Sequence, residues 1–445
     1  MGRPSRLPGG GGGDGAVERE VSAPASLPRA RYALGVLFLV YAVSLIDRQI
    51  LAMLLEDIKG ELGLRDWQLG FLSGIAFALF YSTAGIPIAR IADRGSRRAV
   101  IAAGMVAWSA ATALSGAAQT FFQLAMARVA VGVGEAAGSP PSHSLISDLF
   151  PPERRARAIA VYTMGANFGV MGGYMLGGWL SETIGWRWTF VAVGLPGILV
   201  ALLVRFTLPE PARGAIEARA DDLPQPPLGE VLRELSGLRA YRQIAIATSL
   251  YNVASYGFMF WVPVFMERVH EMGRTEIGLW LGPIAGFVGA AGALTGGWLA
   301  DLGARRDERW LVWLPAIAGL LGAPCIVAFL LVPDAYTAVL CYVPISFLTA
   351  MWTGATYSAV QGLVGLRVRA TAAAVLLFFL NFIGFGLGPQ LVGILSDLFA
   401  PAWGHESIRY ALLGVGMCKA WGSLHSCLAA RHLRAEMAAA REEGA

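Results

Sequence analysis

The feature that most restricts this chain is the recurrence of apolar runs long enough to cross a bilayer. Spanning about 30 Å of hydrocarbon as a helix takes roughly 20 mostly apolar residues. Such runs fall at 33–54, 68–90, 99–118, 121–146, 156–180 and 186–206, then at 242–266, 276–299, 311–332, 336–361, 370–396 and 407–430. In lipid a segment must satisfy its own backbone polar groups, which leaves helices or a closed barrel, and runs of this length are helical. Charged residues make up only 15% of the chain, against about 25% in soluble domains, so there is too little ionic surface for a water-soluble particle. The expected fold is an all-α membrane protein with 12 transmembrane helices.

Between these runs the composition marks boundaries. Residues 1–31 are rich in Gly, Pro and Arg, including Gly9 to Gly13, and lack the apolar stretch of a signal peptide. Myristoylation after Met1-Gly2 would want Ser or Thr where Arg6 stands. A disordered tail is expected over 1–31, a six-helix bundle over 32–207, a linker over 208–240 and a second bundle over 241–432, with a tail at 433–445. The linker is charged and holds Pro224-Gln-Pro-Pro227, so it reads as a connection with a short surface helix at 228–237. Arginines gather after even-numbered runs, at Arg94, Arg97 and Arg98, Arg154, Arg155 and Arg157, Arg305, Arg306 and Arg309, and Arg367 and Arg369. Connections after odd-numbered runs are short or acid-balanced, as in Glu56 to Glu61. That bias places both termini in the cytoplasm, in a plasma or inner membrane.

Other classes are excluded by what is missing. A net charge of +4 spread over loops does not make a nucleic-acid surface. Cys325, Cys341, Cys418 and Cys427 sit in apolar runs without CxxC or Cys/His spacing, so neither metal nor disulfide is expected, and no cofactor. The pair Gly132-Val-Gly134 lies inside a membrane run with no preceding strand, so it is not a dinucleotide loop. No nucleophile–base set points to an enzyme. A channel would want an aligned acidic or polar ring, whereas the intramembrane charges here are of opposite sign.

The two halves echo each other. Ala89-Arg-Ile-Ala-Asp93-Arg94-Gly-Ser-Arg97-Arg98 follows the second run, and Gly297-Trp-Leu-Ala-Asp301-Leu-Gly-Ala-Arg305-Arg306 follows the eighth. An acid followed four and five positions later by two bases recurs, as in a duplicated architecture of two six-helix pseudo-symmetric halves around a central site. These segments resemble the loop signature of the major facilitator superfamily, Gly-x-x-x-Asp-Arg-x-Gly-Arg-Arg. Ala89 and Ser96 replace its glycines in the first copy and Leu302 an arginine in the second. Ser44-Leu-Ile-Asp47-Arg48, the stretch Arg128 to Gly134-Glu135 to Pro140, and Ser147-Asp148-Leu-Phe150 are similar to the spinster-type branch. That resemblance implies a secondary transporter working by alternating access, moving an amphipathic substrate such as a lysolipid or sphingoid phosphate through a central cavity, with proton coupling in some members. A proton-coupled exporter of drugs or soluble organic anions is the alternative. Membrane lipids, protons and a small amphiphile are the expected partners of a monomer, with no nucleic acid.

The ionisable residues inside the runs carry the candidate site, since each costs at least a few kcal/mol there and demands a partner. Asp47 lies about 20 Å along the first run and Arg128 about 10 Å along the oppositely directed fourth, so the two are expected at one depth. Glu135 shares the face of Arg128 nearly two turns on, and Gly132 and Gly134 leave that face open for a neighbour or ligand. Asp47 and Glu135 are the candidates for proton coupling. Arg128 and Arg48 are the candidates for a substrate headgroup or an ion-pair switch, with a static ion-pair network as the competing reading and outward snorkelling as another for Arg48. Asp93, Arg94, Arg97, Arg98, Asp301, Arg305 and Arg306 are candidate gating residues. His143, Asn167, Asn252, Tyr256, Trp352, Gln361 and Asn381 are candidates to line the cavity. Glycines at 165, 169, 172, 173 and 177, and at 384, 386 and 388, are read chiefly as helix packing.

Overall fold

The computed structural model describes residues 27–211, 227–365 and 368–442. Of the tail expected over 1–31, residues 1–26 lie outside the described residues, as do the middle of the linker, Arg367 and the last three residues, while 27–31 already belong to the first helix. Every regular element among the described residues is helical. Eight stretches are long and apolar enough to cross a membrane. Two of these, Pro152–Thr207 and Thr371–Glu442, each contain two legs, and Arg239–His270 and the broken helix at 121–149 are further legs. Twelve legs result among the described residues, matching the twelve apolar runs. Large apolar side chains such as Leu114, Phe122, Phe206 and Leu294 stay exposed on their outer faces, as a lipid-facing surface requires.

Local chemistry sets where the legs turn. The fifth and sixth legs are divided at Gly185, whose φ of 76° and ψ of 164° are open only to glycine. The first leg runs as Leu27–Leu62, so Glu56 to Glu61 extend the helix rather than forming a connection. Leu54, Leu55 and Ile58 are buried there, and that apolar stripe carries the helix past the bilayer-length run. The last leg likewise continues as helix to Glu442.

Several legs are interrupted near mid-depth. The second breaks at Gly74, between Asp66–Ser73 and Ile75–Arg94, and the fourth between Glu135 and Ser139. The eighth and eleventh contain π-helical turns at Ile284–Val288 and Leu380–Phe385. Such breaks free backbone groups and are tolerated where protein or a cavity covers them.

Packing follows close backbone approach. A Cβ at Gly165 or Gly169 in the fifth leg would meet the Phe38 or Ala42 carbonyl oxygen at 2.7 and 2.5 Å, so those glycines hold the fifth leg against the first. Gly388 in the eleventh plays the same part against the Val253 carbonyl oxygen, at 2.5 Å. With lipid as apolar as the side chains, such contact is a main source of helix association.

The two halves are tied together at the end remote from both described termini. Arg268 Nη1 donates to Asp66 Oδ2 at 2.7 Å and its Nη2 to Glu56. Arg274 bridges Asp57 of the first half and Glu267 of its own. Asp397 accepts from the backbone amides of Asp66 and Trp67 at 3.1 and 2.8 Å. The larger apolar cluster includes residues of both halves, whereas the smaller, near the terminal end, is built only from residues 231–437. The apolar core that bridges the halves therefore does not extend into the terminal-side cluster.

Candidate functional site

The buried charges converge where the first, second, third and fourth legs meet. Ser44 and Arg48 are one turn apart on the first leg and point to the same carboxylate. Ser44 Oγ donates to Glu135 Oε2 at 2.7 Å, and Arg48 Nε donates to that oxygen at 2.5 Å. Arg48 also lies over the rings of Phe77 and Tyr81, 4.6 and 4.7 Å from their centroids, so its charge is held by a carboxylate and two π faces. Its side chain is 12% exposed, while that of Glu135 is fully buried.

Asp47 points to a different face of the first leg and is completely buried, as is Arg128. The pair are in electrostatic reach of each other and of Glu135, with Thr112 and Trp108 beside the Asp47 carboxyl. Neither Asp47 oxygen and none of the three Arg128 guanidinium nitrogens reaches a hydrogen-bond partner in the protein. Arg128 instead lies 5.6 Å from the Phe77 ring centroid. The equal depth expected of Asp47 and Arg128 makes a direct contact between them plausible, but no hydrogen bond joins them. The direct pair is Arg48 with Glu135, because residues 44 and 48 share the face that meets the fourth leg. Two positive and two negative charges thus occupy one buried cluster. Removing one member of a buried pair costs about 3–5 kcal/mol, mostly from the charge left behind.

The glycines of the fourth leg serve its neighbours. A Cβ at Gly132 would meet the Phe77 carbonyl oxygen at 2.7 Å, and one at Gly134 the backbone nitrogen of Trp108 at 2.8 Å. The face expected to be open for a neighbour or a ligand is therefore covered by the second and third legs.

The loop residues divide differently from the gating expectation. Arg97 is 2% exposed and is held within its own half by Asp148, the Ser144 hydroxyl, Glu210 and the Pro211 carbonyl. Arg98 donates its amide to Glu210 and its guanidinium to the Leu208 carbonyl. Asp93 and Arg94 are exposed on the terminal side. In the second half Asp301, Arg305 and Arg306 are exposed, while Glu308 pairs with Arg441 of the last leg.

The polar cavity candidates separate as well. Asn167 lines a cavity of about 290 Å³ between the halves, together with Tyr174, Ser255, Tyr342, Thr349 and Lys419. Trp352 lies against Lys419 and Thr349 in an adjoining crevice. His143 packs edge-on to Tyr162 at 5.2 Å, and Tyr256 edge-on to Phe385 at 4.6 Å. Asn252 is 8% exposed and packs against Gly384, Asn381 belongs to the eleventh-leg π turn, and Gln361 is exposed near the end of the tenth leg.

Lys419 is the residue that sequence inspection overlooked. It is 4% exposed, and a lone lysine within an apolar run was the available signal. Phe77 and Tyr81 were also unforeseen, since nothing in their own spacing says that they would flank Arg48.

The model of the Major Facilitator Superfamily matches residues 37–389. An MFS-type efflux pump of Mycolicibacterium smegmatis is 34% identical over 388 residues, covering 86% of this chain and 89% of that protein. A sphingosine-1-phosphate transporter of Mus musculus is 26% identical over 405 residues, covering 85% and 73%. Among solved structures, a bacterial homolog of the human lysosomal transporter Spinster, inward-facing and unoccupied, superposes with a TM-score of 0.83 at 30% identity, covering 93% of this chain and 99% of that one.

Proposed function

The chain belongs to the Major Facilitator Superfamily, and from that premise we propose a proton-coupled secondary transporter that moves a lysolipid or sphingoid-phosphate-like amphiphile by alternating access. The observation that carries this reading is the Glu135 carboxylate shared by Ser44 and Arg48. A proton on Glu135 removes the charge that holds Arg48. The guanidinium, already the least buried of the cluster and seated on Phe77 and Tyr81, is then free to take an anionic headgroup. Asp47 and Arg128 set the field around that exchange and offer a second carboxyl for the proton. The loss of one charge and the gain of another keep the cluster near neutrality, which a low-dielectric site demands.

The arginine bias after even-numbered legs supports cytoplasmic termini. On that assignment the tied end faces outward and the chain rests inward-open. Membrane lipids surround a monomer in this reading, and the loop residues Asp93, Arg94, Asp301, Arg305 and Arg306 remain on the side that opens. In this reading Asp93 and Asp301 contact the opposite half when that side closes.

A soluble organic anion or drug is the second reading, favoured by the small volume of the cavity between the halves, about 290 Å³, near the lower end of ligand pockets. Flux of a labelled lysolipid and of labelled gluconate into proteoliposomes separates the two. Lysolipid movement that saturates supports the lipid reading. Gluconate movement with no lysolipid flux overturns it.

A further inference from the structure

We infer that Lys419 is the anion-binding residue of a second polar subsite, one that takes a carboxylate or phosphate group of the transported molecule. It rests on the transport reading above but uses residues outside the Arg48–Glu135 cluster.

Lys419 lies about 18 Å along the twelfth leg counted from Ser407, deep within the bilayer. It is 4% exposed, and its ammonium donates to the Thr349 hydroxyl. No acidic side chain lines either the cavity or the crevice that Lys419 borders, among the described residues. An ammonium has three donors, and a hydroxyl neutralises none of its charge. A charged group in the membrane costs a few kcal/mol unless it gives up its proton or an anion joins it, so an arriving anion is what favours the ammonium form here.

The cavity beside it has the composition that an anion needs. Beside Lys419 its polar lining is Asn167, Ser255, Ser346, Thr349 and Thr353 with the tyrosines Tyr174 and Tyr342, and among the described residues no carboxylate lines it. Asn167 and Tyr174 belong to the first half and the others to the second. An anion held by Lys419 would therefore touch both halves, as coupling substrate binding to their relative motion requires. The volume of about 290 Å³ admits a sugar-acid-sized anion whole, or the headgroup of a lysolipid with its tail elsewhere. Those two sources share one chemistry at Lys419.

Isothermal titration of the purified full-length protein tests this, with lauroyl lysophosphatidic acid, gluconate and uncharged monolauroylglycerol as probes. Lys419→Gln and Lys419→Met are compared with wild type and with Lys419→Arg, each checked for a monodisperse fold. The expected result is at least a ~10-fold loss of affinity for whichever anion binds wild type, as a lost charge-assisted hydrogen bond gives. Monolauroylglycerol binding stays within a factor of about two and Lys419→Arg retains most of the anion affinity. Loss for lysophosphatidic acid alone identifies a lipid headgroup, and loss for gluconate alone a soluble anion. Unchanged anion binding in both neutral variants overturns the assignment, as does wild type that binds neither anion. Normal anion binding with no flux of any probe would sink the transport reading and leave this subsite standing.

Discussion

Glu210 shows at the residue scale how a carboxylate outside the bilayer can organise charges that a motif credits with gating. It lies three residues beyond the sixth leg and accepts from the Ser96 hydroxyl at 2.5 Å and from the Arg97 and Arg98 amides at 3.0 and 2.9 Å. Burial pushes its carboxyl up, but Ser96, the two amides and the Arg97 side chain outweigh that, and it sits below the usual carboxylate range. A depressed carboxyl contributes stability above its unfolded value, about 4.3, and the contribution is lost as pH falls through the folded value. Glu210→Gln should therefore lower the melting temperature in detergent at pH 7 and flatten its decline below pH 5. An unchanged melting curve at both pH values would mean that the contacts contribute nothing. The Arg97 motif was legible in the sequence as a loop with charge. Its partners were not, because Glu210 and Asp148 are 113 and 51 positions away, and no local rule pairs them.

At the scale of single helices, glycines decide where the legs can touch. A Cβ at Gly70 would lie 2.6 Å from the Pro389 carbonyl oxygen, at the contact between the second and eleventh legs, whereas one at Gly85 would meet nothing within 4 Å. Gly70→Ala should push those legs apart and weaken the tied end. Gly85→Ala should be neutral or slightly stabilising, by up to about 1 kcal/mol from helix propensity. Thermal melting of the two variants checks the contrast, and equal effects would contradict it. The twelve legs were readable from apolar run length alone. Their mid-depth breaks were not, since Gly74 is bent where its Cβ would strike the Gly386 carbonyl oxygen at 2.4 Å, a constraint set by a helix some 300 residues away. The same holds for Glu135, whose spacing from Arg128 was legible although its direct partner on the first leg was not.

Across the whole molecule, two halves are latched at one end around buried charge. Arg268 is central to that latch, with side-chain exposure of 11% against 3% for Asp66. Arg268→Ala strands Glu56 and leaves Asp66 to Lys59 and the Ser396 hydroxyl. A cost of about 3 kcal/mol to the tied end would move the equilibrium between open ends by more than ~100-fold. Spin labels on the exposed positions Arg65 and Ala402 should then show a longer-distance population absent from wild type, and an unchanged distance distribution would mean the latch lies elsewhere. The duplicated loops disclosed the two halves, but which end is tied depends on pairs such as Arg268 with Asp66 that cross 202 positions. The central claim is that Glu135 exchanges a proton for its hold on Arg48. The most direct test is flux of labelled lysolipid in proteoliposomes, with and without a pH gradient, for wild type and Glu135→Gln. The account predicts gradient-driven flux in wild type and at least a ~10-fold loss of that gradient dependence in Glu135→Gln. Flux that responds to the gradient equally in both proteins would contradict it.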